Sequence, residues 1–121
     1  MNFMIKKGIT LLFFVLLFKS LPAYAAEGKV CCNNVCFKTH FVQNQDEHYQ
    51  GLSGDIALAA DQAMLFAYAE EGPSAMWMKD VRFPLDMIWL NKRLEIVSVR
   101  KDLKPCPKLP CPGYRSSRPS A

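Results

Sequence analysis

Two apolar segments separated by a short charged stretch occupy residues 76–90, MWMKDVRFPLDMIWL. The first segment alternates methionine with tryptophan, and the second, Leu85–Leu90, carries large apolar side chains at nearly every position. Apolar runs of this length, bounded by charged residues and by a proline at position 84, are typical of core strands. The sequence therefore predicts two buried strands joined by a loop that crosses between them.

Charged side chains within this run are the candidate site residues. Lys79 and Asp86 form a candidate catalytic pair, because a lysine and a carboxylate in apolar surroundings can be tuned for proton transfer. The interpretation that we favour is structural, in which a lysine bonded to carboxylates or free carbonyls holds the ends of the loop. No nucleophile and base occur together in the sequence. We therefore expect no catalytic residue, and a binding cleft near Trp77, Lys79, Arg82 and Asp86.

The methionines of the run suggest a second chemistry. On a strand, Met76 and Met78 fall on one face and Trp77 on the other. Both thioethers could then reach one Cu(I) ion, for which sulfur is a suitable soft ligand. Core packing by adaptable methionine side chains explains the same pattern without a metal, and it is the favoured interpretation.

The five cysteines predict a disulfide framework with one thiol left over. Asn33 and Asn34 predict a hairpin turn between residues 29–32 and 35–42, because asparagine tolerates the positive φ angles of two-residue turns. Cys31 and Cys36 then face each other across the two strands, at a distance that a disulfide can bridge. This pair is the first predicted disulfide.

A second disulfide is predicted between Cys106 and Cys111. These residues enclose Pro-Lys-Leu-Pro, and the prolines restrict the loop so that little entropy opposes its closure. Cys32 is then unpaired, either buried as a small apolar residue or available to another chain.

A metal site is the alternative for the first group of cysteines. Cys31, Cys32, Cys36 and His40 are residue types that bind zinc or copper. On an extended strand, however, Cys36 and His40 lie about 13 Å apart at ~3.3 Å per residue, which is too far to share one ion. We therefore expect no metal and no cofactor.

The first 25 residues have the features of a secretory signal. Lys6 and Lys7 precede an apolar stretch at residues 8–18, and Ala23-Tyr24-Ala25 is a small-residue cleavage site. The stretch is shorter than the ~20 residues of a membrane-spanning helix, so we expect cleavage after Ala25 and membrane contact only through an uncleaved signal. The expected product is one domain at residues 26–121, periplasmic or secreted, and small enough to benefit from disulfides.

The remaining charge is unevenly distributed. Lysines of the first 25 residues account for three of the four net positive charges. Basic residues outnumber acidic ones from Lys92 onward and form a basic C-terminal arm. This arm could contact an anionic envelope polymer or lipid, although a run of basic residues more often marks only a solvated face. Nucleic acid is not an expected partner, because no recognised binding motif occurs. The basic residues of the arm are Lys92, Arg93, Arg100, Lys101, Lys104, Lys108, Arg115 and Arg118.

The other predicted elements are short. Asn44, with Glu47 three residues later, predicts the cap of a helix that ends near Gln50. Residues 55–69 are ambiguous, because their alanines favour a helix whereas Met64-Leu65-Phe66 could form a buried strand. Residues 75–79 and 94–99 are predicted strands, the second following a hairpin turn at Asn91-Lys92.

The run WMKD at residues 77–80, followed by PLD at residues 84–86 and an apolar strand, resembles the signature of domain of unknown function 192 (DUF192). The pair Gly51-Leu52 after an acidic helical turn is similar to the same family. The resemblance covers residues 35–121 and implies that residues 63–68 form a strand, with Ala63 where the family has glycine. It implies no biochemical activity.

The fold that the resemblance implies is mainly β, a small barrel or sandwich-like domain with one short helix. Relatives continue with an apolar strand beyond the Cys-Pro segment, so this chain is expected to lack its last strand and to leave a sheet edge open. For function, we expect an exported, non-enzymatic binding or structural module of the cell envelope. The alternative is a copper or zinc carrier, or an enzyme that uses Lys79 and Asp86.

Overall fold

Strands dominate the computed structural model, which describes residues 2–6, 26–42, 44–70, 72 and 74–116. This confirms the predicted mainly β fold with one short helix. No helix within these residues has the length and apolarity that a membrane crossing requires. The elements are β1 (Asn2–Lys6), β2 (Ala26–Cys32), β3 (Val35–Val42), α1 (Gln45–Gln50), β4 (Gln62–Phe66), β5 (Ala75–Trp77), β6 (Leu85–Leu90), β7 (Ile96–Leu103) and β8 (Gly113–Arg115).

The larger of two sheets has six strands in the order β2-β3-β4-β1-β6-β7, and the smaller sheet pairs β5 with β8. In the larger sheet all neighbours are antiparallel except β3 and β4. Because β2 and β7 lie at its two edges, the sheet is not closed, and the expected barrel is wrong. Exposed charged side chains on both edge strands, Lys29 on β2 and Arg100 on β7, oppose the pairing that closure needs.

Strands β2 and β3 form the predicted hairpin. Asn33 and Asn34 have φ angles of 46° and 68°, which is the left-handed conformation that a two-residue turn of this kind requires. The turn places Cys31 opposite Cys36, and the predicted disulfide joins them across 4.0 Å between Cα atoms.

The second predicted disulfide, Cys106 to Cys111, is also confirmed, with Cα atoms 5.9 Å apart. The amide of Cys106 donates to the carbonyl of Met78 at 3.2 Å, and its carbonyl accepts from the amide of Asp80 at 3.2 Å. The disulfide loop is therefore fastened to the segment that follows β5. Cys32 is the free cysteine of the described residues and is exposed.

Helix α1 begins and ends as its sequence predicts. The side-chain oxygen of Asn44 accepts a hydrogen bond from the amide of Glu47 at 2.9 Å, which satisfies one of the free amides of the first turn. Asp46 and Glu47 place negative charge at the positive end of the helix dipole. Gly51, with a φ of 51°, ends the helix in a conformation that favours glycine.

The strand predicted at residues 94–99 is displaced, because the preceding turn is larger than two residues. Leu94 has a φ of 61°, and the side-chain oxygen of Asn91 accepts from the amides of Arg93 and Glu95 at 2.9 and 3.0 Å. Strand β7 consequently begins only at Ile96.

Two further boundaries differ from prediction. The strand that the family resemblance implied at residues 63–68 is confirmed as β4, although it ends at Phe66, and its pairing with β1 and β3 overrides the helix propensity of the alanines. The strand predicted at residues 75–79 ends at Trp77. Beyond it, Lys79 keeps a single parallel bridge to Cys106.

The N-terminal strand β1 lies at the centre of the larger sheet, between β4 and β6. This strand belongs to the predicted signal peptide, residues 1–25. Residues 7–25 lie outside the described part of the chain, so cleavage after Ala25 stays a prediction. Two clusters of buried side chains cover the sheet, the larger one around Met78, Met87 and Trp89 and the smaller one around Phe3 and Leu65.

Candidate ligand-binding cleft

Lys79 lies beside two aromatic rings on the surface of the domain. Its Nζ atom is 5.7 Å from the centroid of the Tyr49 ring and 5.8 Å from that of Trp77. The two rings meet edge to face, with centroids 5.7 Å apart and planes at 74°. An ammonium within about 6 Å of an aromatic centroid is attracted to the ring face. The group of Tyr49, Trp77 and Lys79 is called the aromatic-lysine cluster below.

The strand alternation of β5 positions this cluster. Met76 and Met78 point into the larger core cluster, with 5% and 0% exposure, so Trp77 between them points the other way. Tyr49 comes from α1, which buries none of its side chains, and is 66% exposed. The cluster therefore joins an exposed helix to the outer face of a core strand.

Backbone contacts hold the helix side of the cluster against the strand side. The hydroxyl of Ser53 donates to the carbonyl of Lys79 at 2.7 Å. The amide of Gly54 donates to the carbonyl of Asp80 at 3.0 Å. These bonds tie the turn after α1 to the turn after β5, and so fix the spacing between Tyr49 and Trp77.

Among the described residues, the Lys79 ammonium has one carboxylate neighbour within ion-pair distance, Asp80, with 3.5 Å between Nζ and Oδ2. Asp80 has a φ of 56°, a left-handed conformation that aspartate tolerates better than most residues. The Lys79 side chain keeps 27% of its surface exposed and that of Asp80 52%. Because Asp80 is half exposed, this pair contributes little to stability.

A cleft of about 350 Å³ opens at the cluster. It combines two aromatic faces with an ammonium, a carboxylate, an amide and a hydroxyl, which suits a ligand that has both ring-like apolar surface and polar substituents. Its lining residues are Asp46, Tyr49, Gln50, Ser53, Trp77 and Lys79.

Of the four residues predicted for the cleft, the structure brings Trp77 and Lys79 together. Arg82 is exposed and lines a neighbouring cleft beside Pro105 and Pro107. Asp86 lies on β6, where its Oδ1 accepts from the backbone amide of Asp102 at 2.7 Å. No ion pair joins Lys79 to Asp86 within the described residues, so the geometry does not assemble the proposed catalytic pair.

Sequence reasoning missed Tyr49, along with the polar residues Asp46, Gln50 and Ser53. The available signal was an aromatic residue in a short helix whose other residues are all polar, QDEHYQ. A tyrosine there has no apolar neighbour on its own helix to pack against, which points to a contact with another element or a ligand.

Four of the residues considered for metals have other structural roles. Met76 and Met78 pack in the larger core cluster, and Cys31 and Cys36 are oxidised to a disulfide. Within the described ranges, no three histidine, cysteine, aspartate or glutamate side chains come together as a metal site would need.

A wider cleft, of about 720 Å³, lies between β2–β3 and the segment that follows α1. Its lining includes His40, Glu47 and Asp55 but no phenylalanine, tyrosine or tryptophan. Lys38 on its wall is already paired with Asp61, with 3.1 Å between Nζ and Oδ2. This wider cleft offers charged side chains without a phenylalanine, tyrosine or tryptophan ring. The cleft at the aromatic-lysine cluster is therefore the stronger candidate site.

The chain matches the model of the family DUF192, described as an uncharacterized ACR, over residues 29–120. A crystal structure of a proposed transcription regulator from Sinorhizobium meliloti 1021 is 27% identical, with a TM-score of 0.65, and the match covers 71% of this chain and 64% of that one. This chain thus spans less than two thirds of that relative.

A crystal structure of a protein of unknown function from Novosphingobium aromaticivorans DSM 12444 has the same TM-score, 0.65, at 14% identity, and the match covers 85% of this chain and 83% of that one. At that identity the likeness concerns the fold alone. No curated protein matches the chain.

Proposed function

The chain belongs to the DUF192 family, to which no activity is assigned, and from that premise we propose that it is an exported, non-enzymatic binding module of the cell envelope. Its site is the cleft at the aromatic-lysine cluster. The observation that carries the proposal is the position of the Lys79 ammonium, within 6 Å of the centroids of two aromatic rings that also line the cleft.

The ligand class follows from the chemistry of the lining. Tyrosine and tryptophan rings pack against the apolar faces of sugar rings, while Gln50, Asp46 and Ser53 offer partners for hydroxyl and amide groups. Lys79 adds a cation for a carboxylate. We therefore propose a carboxylate-bearing glycan fragment of the cell wall as ligand.

The cysteines support the exported location. Two disulfides in a domain of this size are typical of an oxidising compartment, and cytosolic proteins rarely keep them. The predicted signal at residues 1–25 belongs to the same proposal.

Basic residues near the C-terminus support contact with an anionic polymer. Arg100, Lys101 and Arg115 line one shallow cleft between β7 and β8. A patch of this kind would add long-range attraction to an anionic wall polymer or lipid surface, and this attraction falls with salt.

The Sinorhizobium meliloti relative is described as a proposed transcription regulator. In this chain α1, the only helix of the described residues, does not support nucleic-acid binding. That helix has six residues, two of them acids, and neither lysine nor arginine. Nucleic-acid recognition by a helix depends on cations that meet phosphates and on side chains that reach base edges. The proposal therefore stays with an envelope ligand.

Titration calorimetry of the full chain with a disaccharide-tetrapeptide fragment of peptidoglycan tests the proposal. Lys79→Met keeps the aliphatic stem and removes the charge, and we expect roughly a tenfold loss of affinity, since a charged hydrogen bond contributes about 1.5 to 3 kcal/mol. Lys29→Met, which removes an exposed lysine of β2 outside both the cleft and the basic patch, is the matched control and leaves the affinity within about twofold.

A second ligand separates charge recognition from stacking. A fragment with its carboxylates amidated should bind the unchanged protein and the Lys79→Met variant equally, while Trp77→Ala weakens both fragments. If neither fragment binds, or if Lys79→Met and Trp77→Ala leave binding of the acidic fragment unchanged, the proposed site is wrong.

A further inference from the structure

One cysteine of the second disulfide contacts the backbone on both sides of Lys79. The amide of Cys106 donates to the carbonyl of Met78, and the carbonyl of Cys106 accepts from the amide of Asp80, each at 3.2 Å. Lys79 and Cys106 form the parallel bridge between these two bonds. The backbone position of Lys79 in the cleft therefore depends on the position of Cys106.

The same stretch of chain also pairs with the strand that carries Trp77. Shortly after Cys111, strand β8 runs antiparallel to β5 and places Gly113 opposite Trp77. The disulfide between Cys106 and Cys111 lies between the two contacts. Residues 106–115 thus hold the strand side of the aromatic-lysine cluster at two points, and are called the disulfide clamp below.

The disulfide is the main internal link of the clamp. Residues 107–112 include three prolines, which have no amide hydrogen to donate. No backbone hydrogen bond holds this segment among the residues that the structure describes. The pairing of β8 with β5 is a sheet of two strands with three residues each, and an isolated pair of strands is only marginally stable. Opening the disulfide should therefore loosen both contacts of the clamp.

The clamp lies at the margin of the core. Its contribution to the larger core cluster consists of two partly buried side chains, Cys106 and Tyr114, which pack against the buried ones. Cys111 is partly exposed as well, so a dithiol can reach the disulfide. The clamp can thus open while the buried part of the domain stays folded.

We propose that the bridge between Cys106 and Cys111 is a redox switch of the cleft. The closed bridge holds Trp77 and Lys79 in the geometry that binds the ligand, and reduction releases them and lowers the affinity. The reductant is a dithiol protein of the same compartment, which gives two electrons and two protons to the bridge and becomes a disulfide, while the bridge becomes two thiols. This inference rests on the proposed function, because it concerns the regulation of the same cleft.

Two cysteine-pair variants of the full chain test the proposal, each with Cys32→Ser to remove the free thiol. The clamp variant carries Cys106→Ala and Cys111→Ala, and the hairpin variant carries Cys31→Ala and Cys36→Ala. Each loses a bridge between residues five apart, so the two losses of stability are matched on the chain-entropy account. The hairpin bridge lines no part of the cleft, and the hairpin variant is therefore the control.

Titration calorimetry with the acidic peptidoglycan fragment separates positioning from stability. We expect the clamp variant to bind about tenfold more weakly than the unchanged protein, as Lys79→Met does, because in both the ammonium no longer meets the ligand carboxylate. The oxidised hairpin variant should bind within about twofold of the unchanged protein, since its substitutions lie away from the cleft. Reducing the hairpin variant with dithiothreitol, which opens only the clamp bridge, should weaken binding by the same factor as the clamp substitutions, and reoxidation should restore it.

Hydrogen exchange measured by mass spectrometry reads the clamp without any ligand. The amides of residues 75–81 should lose protection in the clamp variant and in the reduced hairpin variant, and keep it in the oxidised hairpin variant. The amides of β6, which lies in the larger sheet, are the internal control and should stay protected throughout.

Three results would overturn the proposal. The first is equal affinity of the clamp and hairpin variants for the fragment, and the second is unchanged protection of residues 75–81 after reduction. The third is a loss of protection in β6 as well, because reduction would then unfold the domain instead of switching the cleft. If the unchanged protein does not bind the fragment, the ligand of the proposed function is wrong, whereas a selective loss of protection at residues 75–81 still supports the control of Lys79 by the bridge.

Discussion

Asn2 and Trp89 lie opposite each other in the pairing of β1 with β6, and both side chains are fully buried. Each holds a polar atom, the amide Oδ1 and the indole N–H, that has no hydrogen-bond partner among the described residues. The centre of the sheet therefore contains an amide opposite the apolar side chain of Phe66. Asn2 is therefore a poorly adapted position of the core.

Replacing Asn2 with valine should stabilise the full chain. The substitution removes an unpaired buried oxygen and adds apolar, β-branched surface, although it also removes the bond to Ser74. We expect a net gain of about 1 kcal/mol in the free energy of unfolding, read from the urea midpoint. Asn2→Asp, of equal size but charged, is the matched comparison and should be destabilising. No change with either variant would mean that β1 is not in the sheet in solution.

Removal of either disulfide should destabilise the domain. Each bridge links residues five apart in sequence, and closing so short a loop contributes about 2 kcal/mol on the chain-entropy account. Cys31→Ala with Cys36→Ala, and Cys106→Ala with Cys111→Ala, should each lower the free energy of unfolding by about that amount. Cys32→Ser, which touches neither bridge, is the control. Alkylation of the oxidised protein before mass analysis should label one cysteine, and three labels would contradict the pairing.

The turn before β7 should lose stability in acid. Hydrogen bonds from Asn91 and then Arg93 hold the pKa of the Glu95 carboxyl below its ordinary value. A carboxyl with a lowered folded pKa stabilises above its unfolded pKa, near pH 4, and this stabilisation is lost as the pH falls through the folded pKa. The melting temperature of Glu95→Gln should therefore fall less between pH 6 and pH 3 than that of the unchanged protein. Glu27→Gln, at an exposed glutamate on β2, should follow the unchanged curve.

The sequence predicted the structure correctly where contacts between residues close together in the chain determine it. The Asn33-Asn34 turn set the hairpin register, and the register set the first disulfide. Asn44 set the start of α1 through one hydrogen bond to the third residue beyond it. The apolar strand β6 was found within its limits because alternate residues face the core.

Distant contacts were not readable in the same way. Pairing of β4 with β1 depends on residues about 60 positions apart, and the sequence of β1 gives the signal-peptide pattern at least as strongly as it gives a strand. The approach of Tyr49 to Trp77 likewise depends on the bonds that join two turns, from Ser53 to Lys79 and from Gly54 to Asp80. Hydrophobic periodicity and residue spacing therefore predict neither the central position of β1 nor the contribution of Tyr49 to the cleft.

Asp86 should prove to be a structural residue of β6 whose removal leaves ligand binding unchanged. Its Oδ1 accepts from the amide of Asp102, a residue with a φ of 55°, next to the irregular register between β6 and β7. Asp86→Ala leaves that amide without this acceptor and should cost about 1 to 2 kcal/mol of unfolding free energy. Asp86→Asn keeps an oxygen acceptor and should recover at least half of the loss. Urea unfolding measures both, and calorimetry with the peptidoglycan fragment should give the same affinity for Asp86→Asn as for the unchanged protein. A folded Asp86→Asn variant of unchanged stability that no longer binds the fragment would instead assign the carboxylate a direct role in the site.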